Sequence, residues 1–211
     1  MESKAPRRLL VATRNPGKVR EYRQLLRGIP FEITSLEEIG IADEVEETGS
    51  TFEENACIKA RAYAASSDLL SLADDSGLEV DALNGSPGVK SARYGGPGLT
   101  DEGRVALLLA NMQNVKWEDR SGRFKCVIAI AQPSDEPETV TGAVEGIIQY
   151  EPKGGNGFGY DPVFYLPHLG RTMAELSLGE KNALSHRAQA AGKAVTLLKA
   201  YHPKLNKDSG Q

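Results

Sequence analysis

The sequence predicts an α/β protein built on a mixed β-sheet. Strand-length apolar runs interleave with segments of helical period in the first half of the chain. Phe124, Cys126, Ile128 and Ile130 then alternate with period two and face a second strand-like stretch across a Pro-bounded turn, which places a meander inside the α/β pattern. No repeat, low-complexity block or linker divides the 211 residues, so one domain with a full-sized core is expected over residues 1–211. The ordered part is expected at about 8–202, with frayed ends.

The elements follow in order. Arg8–Thr13 is a buried-strand run ended by Asn15-Pro16-Gly17. Val19, Tyr22, Leu25 and Leu26 recur at helical spacing until Gly28 and Pro30 stop them. Phe31–Ser35 reads as a second strand. Thr51 and Glu54 form a T-x-x-E capping signature that opens a helix burying Phe52, Ala56, Ala60, Tyr63 and Ala64. Leu69–Ala73 is a short apolar strand expected to end at Asp74-Asp75-Ser76-Gly77. Gly85–Gly98 reads as an ordered loop, and Val105, Leu108, Leu109 and Met112 as a helix. Thr139–Tyr150 pairs with the strand before it, across Pro133–Pro137. Leu184, Ala188, Ala191, Val195 and Leu198 mark one last long helix, and the final KLNKDSGQ is expected to fray.

Composition excludes several classes of function. A formal net charge of −4 argues against a nucleic-acid binder that grips through a broad basic face. The longest apolar runs fall far short of the ~20 residues a membrane span needs. The apolar stretch after Arg7 and Arg8 is shorter than the roughly 7–15 residues of a signal-peptide core. Cys57 and Cys126 lie far apart without metal-ligand spacing and read as reduced core thiols. The expectation is a cytoplasmic protein with no membrane or nucleic-acid partner.

Five short blocks could carry chemistry. Thr13, Asn15 and Lys18 stand at a strand-to-helix turn, where free N–H groups and a lysine suit a phosphate chain, although no Walker loop is present. Asp74 and Asp75 follow an apolar strand. Successive side chains there point to opposite faces, so only one carboxylate is expected to face a ligand, directly or through a magnesium ion. Glu46-Glu47 could add a second carboxylate, while Asn55 and Lys59 share a helix face. The glycine-rich stretch Gly154–Pro162 carries Phe158 and Tyr160, and a ring on such a loop can stack on a base for ~1–3 kcal/mol. Lys181, His186 and Arg187 gather at an expected helix start as an anion site. A solvated loop or helix face accounts for each block taken singly; together they point to phosphate, a divalent cation and a flat ring.

In order, the blocks are ATRNPGKVRE, EETGSTFEENACIKA, ADDSGLEVDALNGSPGVKSARY, GGNGFGYDPVF and EKNALSHR, spanning about residues 8–190. Read together they closely resemble the inosine triphosphate pyrophosphatase family. That resemblance implies an elongated α/β fold with a long mixed sheet flanked by helices, two lobes and a central substrate cleft. It implies hydrolysis of ITP, dITP or XTP between the α and β phosphates with Mg²⁺, in a homodimer. Asp75 matches the family's general base and a metal-binding position, and Glu46 a second metal-associated carboxylate, with Glu47 leaving that register open. Thr13, Arg14, Asn15, Pro16, Gly17 and Lys18 match the phosphate-binding turn. Lys59 is expected to meet a phosphate, and Ser76 matches a substrate contact. Phe158, Gly159, Tyr160 and Asp161 match the base-side loop, and Lys181, His186 and Arg187 the remaining substrate contacts. Competing readings are a Maf-type pyrophosphatase for modified or pyrimidine nucleotides and a sensor that binds triphosphates without turnover.

Overall fold

The structure is a computed structural model that describes residues 7–133 and 135–208. Its strands are β1 (Arg8–Val11), β2 (Glu32–Ser35), β3 (Leu70–Val80), β4 (Ser121–Ala131), β5 (Glu138–Ile148), β6 (Phe164–Leu166) and β7 (Arg171–Thr172). Its α-helices are α1 (Pro16–Leu25), α2 (Phe52–Ser67), α3 (Asp101–Asn111), α4 (Leu178–Leu184) and α5 (His186–Asp208). The strands form one mixed sheet in the order β2-β1-β3-β4-β5-β6-β7. β1 pairs parallel with β2 (Leu9 opposite Ile33) and with β3 (Val11 opposite Leu72). β5–β6 and β6–β7 are antiparallel. β1 is apolar on both faces, with Leu9, Leu10 and Val11 all buried, as a central parallel strand requires.

The chain divides into two compact units. The first comprises the described parts of Met1–Asp75, Val127–Thr141 and Gln189–Gln211; the second is Ser76–Cys126 with Gly142–Ala188. The core of the second unit includes Leu78, Val80, Leu108, Met112, Phe124 and Phe164. Arg120 is also buried in that unit. Its guanidinium donates to the carbonyls of Ile148, Met112, Val115 and Gln149 and lies 4.4 Å from the centre of the Tyr150 ring.

Local chemistry explains the helix ends. Asn15 caps α1 with Pro16 at its first position, and the capping box of Thr51 and Glu54 opens α2. Two sequence expectations need correction. β3 does not stop at Ala73 but runs through Asp74–Gly77, because those carboxylates find partners inside the fold. Gly77 lies within the strand, and a Cβ there would sit 2.4 Å from Ser91 Oγ and 2.6 Å from the Gly88 carbonyl, so the close approach demands glycine. The single last helix is two, since Ser185 is extended (ψ 159°) and its Oγ accepts from Ala188 N to start the second. The backbone is helical to Asp208, and residues 1–6 and 209–211, on which part of the expected fraying falls, lie outside the described residues. β6 and β7 were not foreseen. Among the described residues no helix is long and apolar enough to cross a membrane.

Candidate active site

The first unit gathers a cluster of charges. Asn15 Oδ1 accepts from the N–H groups of Gly17 and Lys18 at 2.8 and 3.2 Å, and Thr13 Oγ1 accepts from Asn15 N. The Asn15 side chain therefore occupies two of the N–H groups that the sequence offers to a ligand. What the turn presents is Lys18, whose ammonium lies 3.0 Å from Asp74 Oδ2. Arg14 turns away from that pair and donates to the carbonyls of Asp43 (2.6 Å) and Ile41 (3.4 Å).

Asp74 and Asp75 meet different partners, as neighbours in a strand must. Asp75 Oδ2 accepts from Asn55 Nδ2 at 3.2 Å, and its Oδ1 lies 3.6 Å from Lys59 Nζ. Lys59 Nζ also meets Glu47 Oε1 at 2.6 Å. Burial pushes the Asp75 carboxyl above its ordinary value, only partly opposed by the Lys59 and Lys18 ammoniums. Burial alone would pull Lys59 down, but Asp75, Asp74 and Glu47 together hold it up. One ammonium thus lies against two carboxylates, an arrangement that suits a small cation. Among the described residues no three acidic, His or Cys side chains form a complete metal cage. Magnesium usually takes only one or two carboxylates and completes its shell with substrate phosphates and water, so the donor set fits. Glu47 belongs to this group, whereas Glu46 is exposed on the loop.

The second unit holds the other candidates. Asp161 Oδ2 accepts from Phe158 N at 3.0 Å and from Lys181 Nζ at 2.6 Å, with both side chains of the ion pair buried. The half-buried Phe158 ring has Lys181 Nζ 4.6 Å and Arg187 Cζ 5.6 Å from its centre. Arg187 Nη2 donates to Ser76 Oγ at 2.8 Å. Gly159 N donates to Asp101 Oδ2, and the Tyr160 hydroxyl donates to the Ser91 carbonyl. The His186 ring stacks on Phe124 at 4.8 Å, which gives it a packing role as well. The result is an aromatic face edged by two cations, held by a carboxylate and a short loop.

Sequence reasoning placed Asn55 on the Lys59 face without giving it a role, and left Asp101 and Ser91 out of the site. Asn55 was legible as the residue one turn before Lys59 on the same face. Asp101 and Ser91 carried no local signal, because their partners lie 58 and 69 residues away.

The chain is similar to known proteins over most of its length. A family model described as the Ham1 family matches residues 9–197. The dITP/XTP pyrophosphatase of Bacillus licheniformis is 52% identical over 190 residues, 90% of this chain and 97% of that one. That of Bacillus subtilis is 47% identical over 191 residues, covering 90% and 96%. A solved HAM1 protein from Coxiella burnetii superposes with a TM-score of 0.84 at 45% identity, covering 92% of this chain and 99% of that one.

Proposed function

This chain belongs to the Ham1 family, and on that premise we propose that it hydrolyses non-standard purine nucleoside triphosphates (ITP, dITP, XTP) to the monophosphate and pyrophosphate. The single observation that carries the chemistry is Asp75: a buried carboxylate one hydrogen bond from Asn55, beside Lys59 and Glu47. In the reaction, a water oxygen attacks the α-phosphorus and the bond to the bridging oxygen of the β-phosphate breaks. Pyrophosphate leaves with that bond's electrons, and Asp75 takes the proton from the water. Lys18 and Lys59 neutralise the phosphate oxygens and hold the chain in line. Mg²⁺, held by Asp75 and Glu47 (or Glu46), would supply further neutralisation of the phosphates.

The second cluster takes the base. The Phe158 ring stacks on it, and the Lys181 ammonium suits a 6-oxo group. The 6-amino group of adenine would set donor against donor and leave both unpaired, the kind of mismatch that supports large discrimination. Guanine shares the 6-oxo group, so its rejection falls to crowding or non-satisfaction of the 2-amino group. Family resemblance supports a cytoplasmic homodimer, which sedimentation of the purified chain tests. Asp75→Asn tests the chemistry. Unchanged circular dichroism with turnover nearly abolished is expected, and near-normal turnover contradicts the role given to Asp75.

A further inference from the structure

One stripe of α2 runs beside the acidic loop and touches it at three points. Asn55, Lys59 and Tyr63 are spaced four residues apart and so share a helix face. Asn55 Oδ1 accepts from Gly49 N at 2.8 Å, Lys59 Nζ meets Glu47 Oε1 at 2.6 Å, and the Tyr63 hydroxyl donates to the Asp43 carbonyl at 3.2 Å. The loop passes these residues in the opposite order, Asp43 at Tyr63 and Gly49 at Asn55. Arg14 closes the far end, since its Nη2 donates to that same Asp43 carbonyl at 2.6 Å and to the Ile41 carbonyl at 3.4 Å.

The segment needs such fixing. Residues 41–49 form neither helix nor strand, so no ladder of backbone bonds sets their position. The start of the loop (Gly40, Ile41, Ala42) borders a cavity of about 570 Å³, shared with Arg14, Pro16 and Leu36, rather than a filled core. With little packing behind it, the loop takes its place from polar contacts. Two of these converge on one carbonyl, three residues before Glu46 and four before Glu47.

We propose that Arg14 and Tyr63 are positioning residues that latch the Asp43 carbonyl and thereby set where the Glu46–Glu47 carboxylates stand for the cation. The inference rests on the metal-dependent reading above and deepens it. It also gives Arg14 a task other than direct contact with the phosphates. Tyr63 is buried, and its hydroxyl reaches the site only through the loop.

The test uses the full chain with Tyr63→Phe and Arg14→Gln, singly and together. Hydrogen–deuterium exchange over residues 41–49 is followed in EDTA, Mn²⁺ alone is titrated by electron paramagnetic resonance, and kinetics are taken across Mg²⁺ concentration. Both variants are expected to exchange faster in this segment than elsewhere and to bind Mn²⁺ roughly tenfold more weakly, the scale seen when partners of metal ligands are removed. At saturating Mg²⁺, kcat and the nucleotide KM of Tyr63→Phe should return close to the wild-type values. Unchanged Mn²⁺ affinity in Tyr63→Phe overturns the proposal, as does a wild-type chain that binds no Mn²⁺. A nucleotide KM that stays raised at saturating metal in Arg14→Gln alone also overturns it, because Arg14 would then touch substrate. A chain whose Mn²⁺ affinity depends on the latch but which releases no pyrophosphate supports the latch and refutes the pyrophosphatase reading.

Discussion

Asn55 donates its amide to Asp75 Oδ2 at 3.2 Å while its amide oxygen accepts from Gly49 N at 2.8 Å. One fully buried side chain thus ties the proposed base to the end of the acidic loop. The amide can hold only one orientation there, because each end meets a partner of fixed polarity.

Replacing Asn55 by Ala should break both bonds at once. Leaving a buried donor and part of a carboxylate unsatisfied costs about 1–3 kcal/mol of stability. Turnover should fall more than nucleotide affinity, because the misplaced group is the base rather than a substrate contact. Thermal melts and a split of kcat from KM check this; a loss confined to KM would be the wrong pattern.

Asp75 itself should cost stability at neutral pH. Burial raises its folded-state pKa above the ordinary 3.8, so in the interval between those values the folded state binds more protons than the unfolded state. Stability contributed by this group therefore falls as pH rises through that interval. Asp75→Asn is expected to melt above the wild type at pH 7 in EDTA, with the gap closing as pH falls through the raised pKa towards 3.8. A variant that melts lower at neutral pH would mean that the ion pairs outweigh the burial.

Glu46 and Glu47 are adjacent but differently placed. Glu47 is paired with Lys59, and Glu46 is exposed. Glu47→Gln should raise the Mg²⁺ concentration for half-maximal activity by roughly 10-fold or more, and Glu46→Gln by much less. Titrating activity against Mg²⁺ for the two variants decides between them, and the reverse order would move the metal ligand to Glu46.

Gly157 adopts φ +79°, and a Cβ there would fall 2.0 Å from Asp161 Oδ2. Gly157→Ala therefore displaces the carboxylate that holds Phe158 N and Lys181. The expected result is a raised nucleotide KM with a drop in melting temperature, since the ion pair of Asp161 and Lys181 is buried. A wild-type KM in a folded variant would remove the Phe158 loop from base recognition.

Much of this was legible in the sequence because its signals are local. The T-x-x-E box, the Asn15-Pro16 start and the alternation from Phe124 to Ile130 each depend on neighbours within a turn or a strand. What escaped depends on partners far along the chain. Two carboxylates after an apolar run read as the end of a strand, yet β3 continues because Lys18, Asn55 and Lys59 meet them. β6 and β7 hold three and two residues, too few to show a period. The choice between Glu46 and Glu47 had no period to set it, since a loop lacks one. Arg14 sits inside the Thr13–Lys18 block, and its turn towards the Asp43 carbonyl comes from the fold alone.

The central claim is metal-dependent cleavage of 6-oxo purine triphosphates between the α and β phosphates. The direct measurement is pyrophosphate release from ITP, XTP, dITP, ATP and GTP with Mg²⁺, repeated in EDTA. Rapid release confined largely to the first three nucleotides, and abolished by EDTA, is the predicted result. Binding without release from any of them would contradict it and make the chain a nucleotide sensor.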